Sequence, residues 1–97
     1  MDNPHYVYIL TNQRKTVLYT GRTHDLPQRL FRHNSGYYPN AFTKKYNVNI
    51  LVYYEEHLDL PTAAAREKRL KRWHHNWKAK LVSDFNPQWH DLGLDLS

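Results

Sequence analysis

Aromatic and β-branched residues fill positions 5–11 (HYVYILT) and return at 16–22 (TVLYTGR), separated by the polar run Asn12-Gln13-Arg14-Lys15. Two such runs around a short polar turn predict a β-hairpin. Tyr6 and Tyr8 share one parity of the first strand, and Val7 and Ile9 the other. One face therefore presents phenols and the other aliphatic side chains, one sign of a functional side. Asp25-Leu26-Pro27-Gln28 reads as a helix start. Asp25 can accept from an orphan amide, and Pro27 is harmless in the first turn. The helix should end at Asn34-Ser35-Gly36. Leu26 and Leu30 mark its inner face, with Arg29 and His33 on or beside that face. Residues 36–47 read as a loop, and 48–56 (VNILVYYEE) as a third strand. Asp59-Leu60-Pro61-Thr62 repeats the start signal and opens one long helix from about 62 to 80. Its apolar stripe runs Ala63, Leu70, Trp73, Trp77 and Leu81. Lys68, Arg69, Arg72 and His75 lie opposite, with Lys80 to one side. Beyond Asp84, Pro87 disfavours further helix, and Trp89 is expected to pack back as an anchor. The order β-β-α-β-α predicts an α+β fold, a small three-stranded, mainly antiparallel sheet flanked by helices. The domain is expected to span 4–82, with 83–97 as a tail packed on it.

Composition narrows this picture. At 97 residues, 40% hydrophobic and 24% charged, the chain reads as one folded domain. The absence of cysteine excludes disulfides and thiolate metal sites. No apolar run approaches the ~18 residues that span a bilayer. The polar N-terminus lacks a secretory pattern, so no membrane and a cytoplasmic location are expected. Lys and Arg number 14 against 9 Asp and Glu, and the pI is ≈ 9.6. That balance suits a polyanionic partner, but also a plain soluble basic protein.

Several residues are candidates for chemistry. On a helical wheel Glu67 falls about 50° from the centre of the apolar stripe. A carboxylate there is costly unless paired or bound to a cation. An ordinary pair with Lys71, four residues on, accounts for it. So does a hard oxygen ligand for magnesium or manganese. Arg29 either covers apolar surface with its stem or stabilises charge on a phosphoryl group. His33 near a helix C-terminus either favours the dipole or joins a site. Tyr8 and Tyr19, taken singly, are ordinary strand packing.

Together these residues form a recognisable pattern. Tyr6-Val7-Tyr8 followed after ten residues by Tyr19-Thr20-Gly21 resembles the two-part signature of the GIY-YIG nucleases. Arg22, Arg29, His33 and the run Arg66-Glu67-Lys68 with Lys71 and Trp73 continue the resemblance over about residues 4 to 82. It is closest to short, stand-alone bacterial members. Tyr6, Val7 and Thr20 depart from the family's letters at positions that shape strand packing. A polar residue, commonly Asn, often follows the family's Glu helix. Asn76 and Asn86 are candidates, neither matching by spacing.

The resemblance implies a metal-dependent DNA endonuclease of little sequence specificity, of a kind that serves DNA repair or recombination. Tyr19 would help activate water, Arg22 and the metal lowering its phenol's pKa, and Tyr8 would position water or phosphate. Arg29 would stabilise the transition state. Glu67 would hold a single divalent cation, Mg²⁺ or Mn²⁺. His33 would be a second base or phosphate contact. Arg22, Lys44, Lys45, Lys68, Lys71 and Arg72 would meet the DNA backbone, and Tyr37, Tyr38 or Phe42 would stack on unpaired bases. The alternative is a nucleic-acid binding module without turnover on the same fold. A His74-His75 metal site has little support, because adjacent helical residues diverge by about 100°. The oligomeric state, monomer or weak dimer, stays open.

Overall fold

The computed structural model describes residues 4–34 and 45–96, except for the side chains of residues 32–34. Three strands, β1 (His5–Thr11), β2 (Leu18–Thr23) and β3 (Ile50–His57), form one antiparallel sheet in the order β2-β1-β3. The central position of β1 explains its apolar run without alternation: both faces are covered, and Val7 through Thr11 are buried. Asn12 builds the hairpin turn. Its Oδ1 accepts from the amides of Thr16 (2.9 Å) and Val17 (3.2 Å), and its Nδ2 donates to Thr16 Oγ1 at 2.8 Å. Lys15 closes the loop in the left-handed conformation, φ 60°. A one-residue bulge shifts the register on β3: Ile9 faces Tyr53, but Leu10 faces Leu51.

Helix α1 (Leu26–Asn34) begins as expected, with the Gln28 amide donating to Asp25 Oδ1 at 3.1 Å. It covers the face bearing Tyr6 and Tyr8. Leu26 and Leu30 pack there with Tyr8, Leu10, Val48 and Leu51, and the 3-10 turn Leu92–Asp95 adds Leu92. The phenol face is therefore no open surface, and Tyr8 is fully buried. Helices α2 (Leu60–Lys71) and α3 (His75–Phe85) cover the opposite face. Val7 meets Ala63 and Leu70 of α2. Ile9, Val52 and Tyr53 meet Val82 of α3.

The expectation of one helix over 62–80 is corrected. The second helix starts at Leu60, where Asp59 Oδ1 accepts from the Thr62 amide at 2.8 Å. It ends at Lys71, and a new helix begins after His74, whose backbone is extended (φ −62°, ψ 151°). A straight rod over the expected range would be about 28 Å long, overrunning a seven-residue strand of about 23 Å. The break lets α2 and α3 bury separate faces on one sheet. The stripe consequently loses Trp77, which is 59% exposed. Beyond α3, buried Asn86 ties the tail to β3. Its Nδ2 donates to the carbonyls of Val52 (3.2 Å) and His90 (2.9 Å). Trp89 packs back against the Ile9 cluster, its Nε1 donating to Ser83 Oγ at 2.9 Å.

One buried group is out of keeping with this core. Thr20, 4% exposed, has a hydroxyl with no hydrogen-bond partner among the described residues. Removing an unsatisfied buried hydroxyl at constant shape is stabilising. Thr20→Val is expected to raise unfolding free energy by about 1 kcal/mol in urea titrations. A loss of stability would contradict this packing.

Candidate active site

Tyr8 stands opposite Gly21 of edge strand β2. Its ring lies over the glycine so closely that a Cβ on Gly21 would come within 2.5 Å of Tyr8 Cζ. Gly21 is thus required for close approach, and its absent side chain lets the Tyr8 phenol extend across β2. Tyr19 projects from the same face of β2, two residues away. Arg29 enters from α1, one residue before Leu30 docks that helix on the sheet. Glu67 comes from α2, on the other face, and reaches the same place past the β2 edge. Tyr8, Tyr19, Arg29 and Glu67, with Arg22, line one open cleft of ≈ 460 Å³.

Arg22 has the parity of the α2 face, where it pairs with Val7 in register. Its Nε bonds Glu67 Oε1 at 3.2 Å. Lys71 Nζ lies 3.1 Å from Oε2, so the ordinary helix pair is present as well. The Glu67 side chain is 18% exposed and that of Lys71 54%. The carboxylate is therefore sheltered, with one cationic partner on each oxygen. Burial pushes the Tyr8 phenol well above its ordinary value, and neighbouring Tyr19 adds to this. The hydrogen-bonded Arg29 guanidinium pulls the other way without prevailing. Tyr8 is accordingly a neutral hydrogen-bond donor at any ordinary pH.

A second cluster sets the aim of Glu67. The neighbouring Arg66 points toward β3, its Nε 2.8 Å from Glu55 Oε1 and its guanidinium 5.3 Å from the Trp73 ring centre. Glu55 also accepts from the Tyr53 hydroxyl and bonds His57 Nε2 at 2.9 Å. Helix α2 is thus held to β3 through Arg66 and to β2 through Glu67. Burial alone would raise the Glu55 carboxyl, but the bonds from Tyr53, His57 and Arg66 outweigh it and hold the group below its ordinary 4.5. A depressed folded pKa contributes stability above the unfolded value, and this is lost as pH falls through the folded one. Urea midpoints should therefore fall as pH drops below 4.5, and Glu55→Gln should flatten that dependence. Identical pH slopes would refute this role.

The donors at the cleft determine which cation it can take. Among the described residues no group of three His, Cys, Asp or Glu forms a metal cage. Glu67 offers one hard carboxylate facing a cleft open to water. That suits Mg²⁺ or Mn²⁺, since magnesium keeps several waters and commonly takes only one or two carboxylates besides phosphate.

Of the other residues expected at the site, Lys45, Lys68 and Arg72 are exposed, Lys45 Nζ lying 5.4 Å from the Tyr46 ring centre. Lys44, Tyr37, Tyr38, Phe42 and the His33 side chain fall outside the description. His74 and His75 are exposed. Four cleft residues escaped sequence reasoning: His5, Thr23, His24 and Leu60. His24 had a signal, its place between the strand carrying Gly21 and the cap Asp25. There Thr23 Oγ1 accepts from the Asp25 amide at 3.0 Å and turns the chain.

Comparison with known proteins places the sequence and the fold. Residues 4–80 match the model of the GIY-YIG catalytic domain. A UPF0213 protein of Syntrophus aciditrophicus is 39% identical over 86% of this chain and 93% of its own length. One of Staphylococcus saprophyticus is 34% identical over 82% and 95%. The solution NMR structure of a UPF0213 protein from Bacillus halodurans is 31% identical, with TM-score 0.52, and covers 82% of this chain and 83% of that one. Fold, cleft and sequence thus lead to one placement: the chain belongs to the GIY-YIG catalytic-domain family.

Proposed function

We propose that the protein is a metal-dependent DNA endonuclease that hydrolyses phosphodiester bonds with little sequence specificity. One observation carries this reading: Tyr8, Tyr19, Arg29 and Glu67, from four different elements, line a single cleft. Packing alone calls for none of their polar ends to meet, and simple binding does not need this combination.

A phosphate in the cleft meets Arg29, whose guanidinium offers fixed donors to equatorial oxygens as negative charge builds. The neutral Tyr8 hydroxyl, already bonded to Arg29, donates to the phosphate or the incoming water. Tyr19 relays the proton of that water, its oxygen accepting it as the phenol passes its own proton on to solvent. Glu67 would hold the divalent cation, which would supply Lewis-acid polarisation when bound. Lys71, half exposed, would be free to turn to the DNA backbone where Glu67 held a cation. The outward cations Lys68 and Arg72 bind phosphates by counterion release, without reading bases. No helix is long and apolar enough to cross a membrane among the described residues. Work on cytoplasmic DNA, in repair or recombination, is the setting this reading suits.

The test is incubation of duplex, nicked and branched DNA with Mg²⁺ or Mn²⁺, with and without chelator. Wild type should cleave only with metal, and Glu67→Gln should be inactive. A DNA complex that weakens with salt but yields no product with any substrate would favour the binding module instead.

A further inference from the structure

The sheet face that carries the cleft continues beyond it. In register, Tyr8 lies between Gly21 and Tyr54, and the next residue of that face on β1 is Tyr6, opposite Thr23. Tyr6 and Tyr54 meet edge to face, ring centres 6.4 Å apart and planes at 70°. With Leu26, Pro27 and Leu96 they wall a second pocket of ≈ 370 Å³. His24 lines both this pocket and the cleft, so the two adjoin. Among the described residues no Lys or Arg lines the second pocket, and Asp25 does, so these walls are not built for phosphate. Its aromatic and apolar walls suit a flat, neutral ring, with His24 and Asp25 to meet polar edges. Tyr54 is braced from behind. Phe85 touches both Tyr53 (5.0 Å) and Tyr54 (5.7 Å), which point to opposite faces, so it lies against the outer edge of β3. A braced ring is pre-organised for stacking.

We infer that this pocket accepts the unpaired base of a nucleotide next to the phosphate held in the cleft. The inference rests on the nuclease reading above and names its substrate class. A paired base is stacked within the duplex and cannot enter, whereas a bulged, mismatched or single-stranded base can. Phosphates alone specify no structure. The pocket therefore makes DNA with an unpaired nucleotide the preferred substrate. Desolvation, reinforced by Glu56 and Tyr54, keeps the Tyr6 phenol neutral, as an aromatic wall requires.

The experiment measures equilibrium binding, in chelator, of three duplexes by full-length protein. One is fully paired, one has a single bulged nucleotide, and one has the same bulge without its base. The base-bearing bulge should bind about tenfold more tightly than the abasic bulge, as expected for one stacked base. Tyr54→Leu, which keeps an apolar side chain without the ring, should bring that ratio close to one, and Tyr54→Phe should retain it. A wild-type ratio near one with duplex binding intact would overturn the pocket and leave the nuclease reading standing. So would a ratio that survives Tyr54→Leu. A ratio near one with a concentration-dependent dimer that Tyr54→Leu abolishes would assign the pocket to a second copy and overturn the inference. Failure to bind any DNA would remove the nuclease reading as well.

Discussion

Arg29→Ala is expected to lower the cleavage rate by about 10²–10³-fold with little change in folding. Arg29 is the guanidinium in the cleft whose head is not taken by the Glu67 carboxylate, and it bonds the Tyr8 hydroxyl. An interaction that strengthens as charge builds on the phosphoryl group lowers kcat and kcat/KM together when removed. Arg29→Lys should recover only part of the loss, because an ammonium lacks the planar fork. Single-turnover rates at saturating metal measure this. An effect confined to KM would reduce Arg29 to an ordinary phosphate contact.

Gly21→Ala should destabilise the fold and should damage the site as well. The new methyl would meet Tyr8 Cζ at 2.5 Å, and Tyr8 is wholly buried among Leu10, Leu26 and Leu30. The ring cannot withdraw without disturbing the core, so overpacking should cost about 1–3 kcal/mol. The displaced hydroxyl should also slow cleavage. A double-mutant cycle isolates the cause. Tyr8→Ala alone should cost about 3–5 kcal/mol for its cavity. Adding Gly21→Ala to it should then cost little, because nothing remains to strike. Additive losses in urea unfolding would mean that the glycine serves something other than the Tyr8 ring.

Local chemistry was legible in the sequence; long-range pairing was not. Asp25 and Asp59 cap their helices because a carboxylate two or three residues before an orphan amide meets it whatever the rest of the chain does. The parity of Tyr6 and Tyr8 and the inward set of Leu26 and Leu30 follow from period alone. The break at residues 72–74 had no glycine or proline to announce it. It arises because α2 and α3 each find their own patch of sheet, and Trp77 is left outside as a result. Sequence alone assigns Arg22 to the Tyr19 phenol and the DNA backbone and misses its bond to Glu67, since that partner lies 45 residues away and only the edge position of β2 brings them together. Glu55, Arg66 and His57 gave no sign of acting together, because β3 and α2 must pack before their charges meet. The wheel set Glu67 near the buried stripe, and it lies there, reaching past the sheet edge; its Lys71 pair was also expected.

Backbone NMR spectra titrated with trace Mn²⁺ test the central claim, that Glu67 holds a cation beside the phenols and Arg29. In wild type, paramagnetic broadening should begin at the amides of residues 19–23, of Arg29, and of Glu67 with its neighbours, and Glu67→Gln should erase it. Broadening centred elsewhere, or unchanged in Glu67→Gln, would contradict the site.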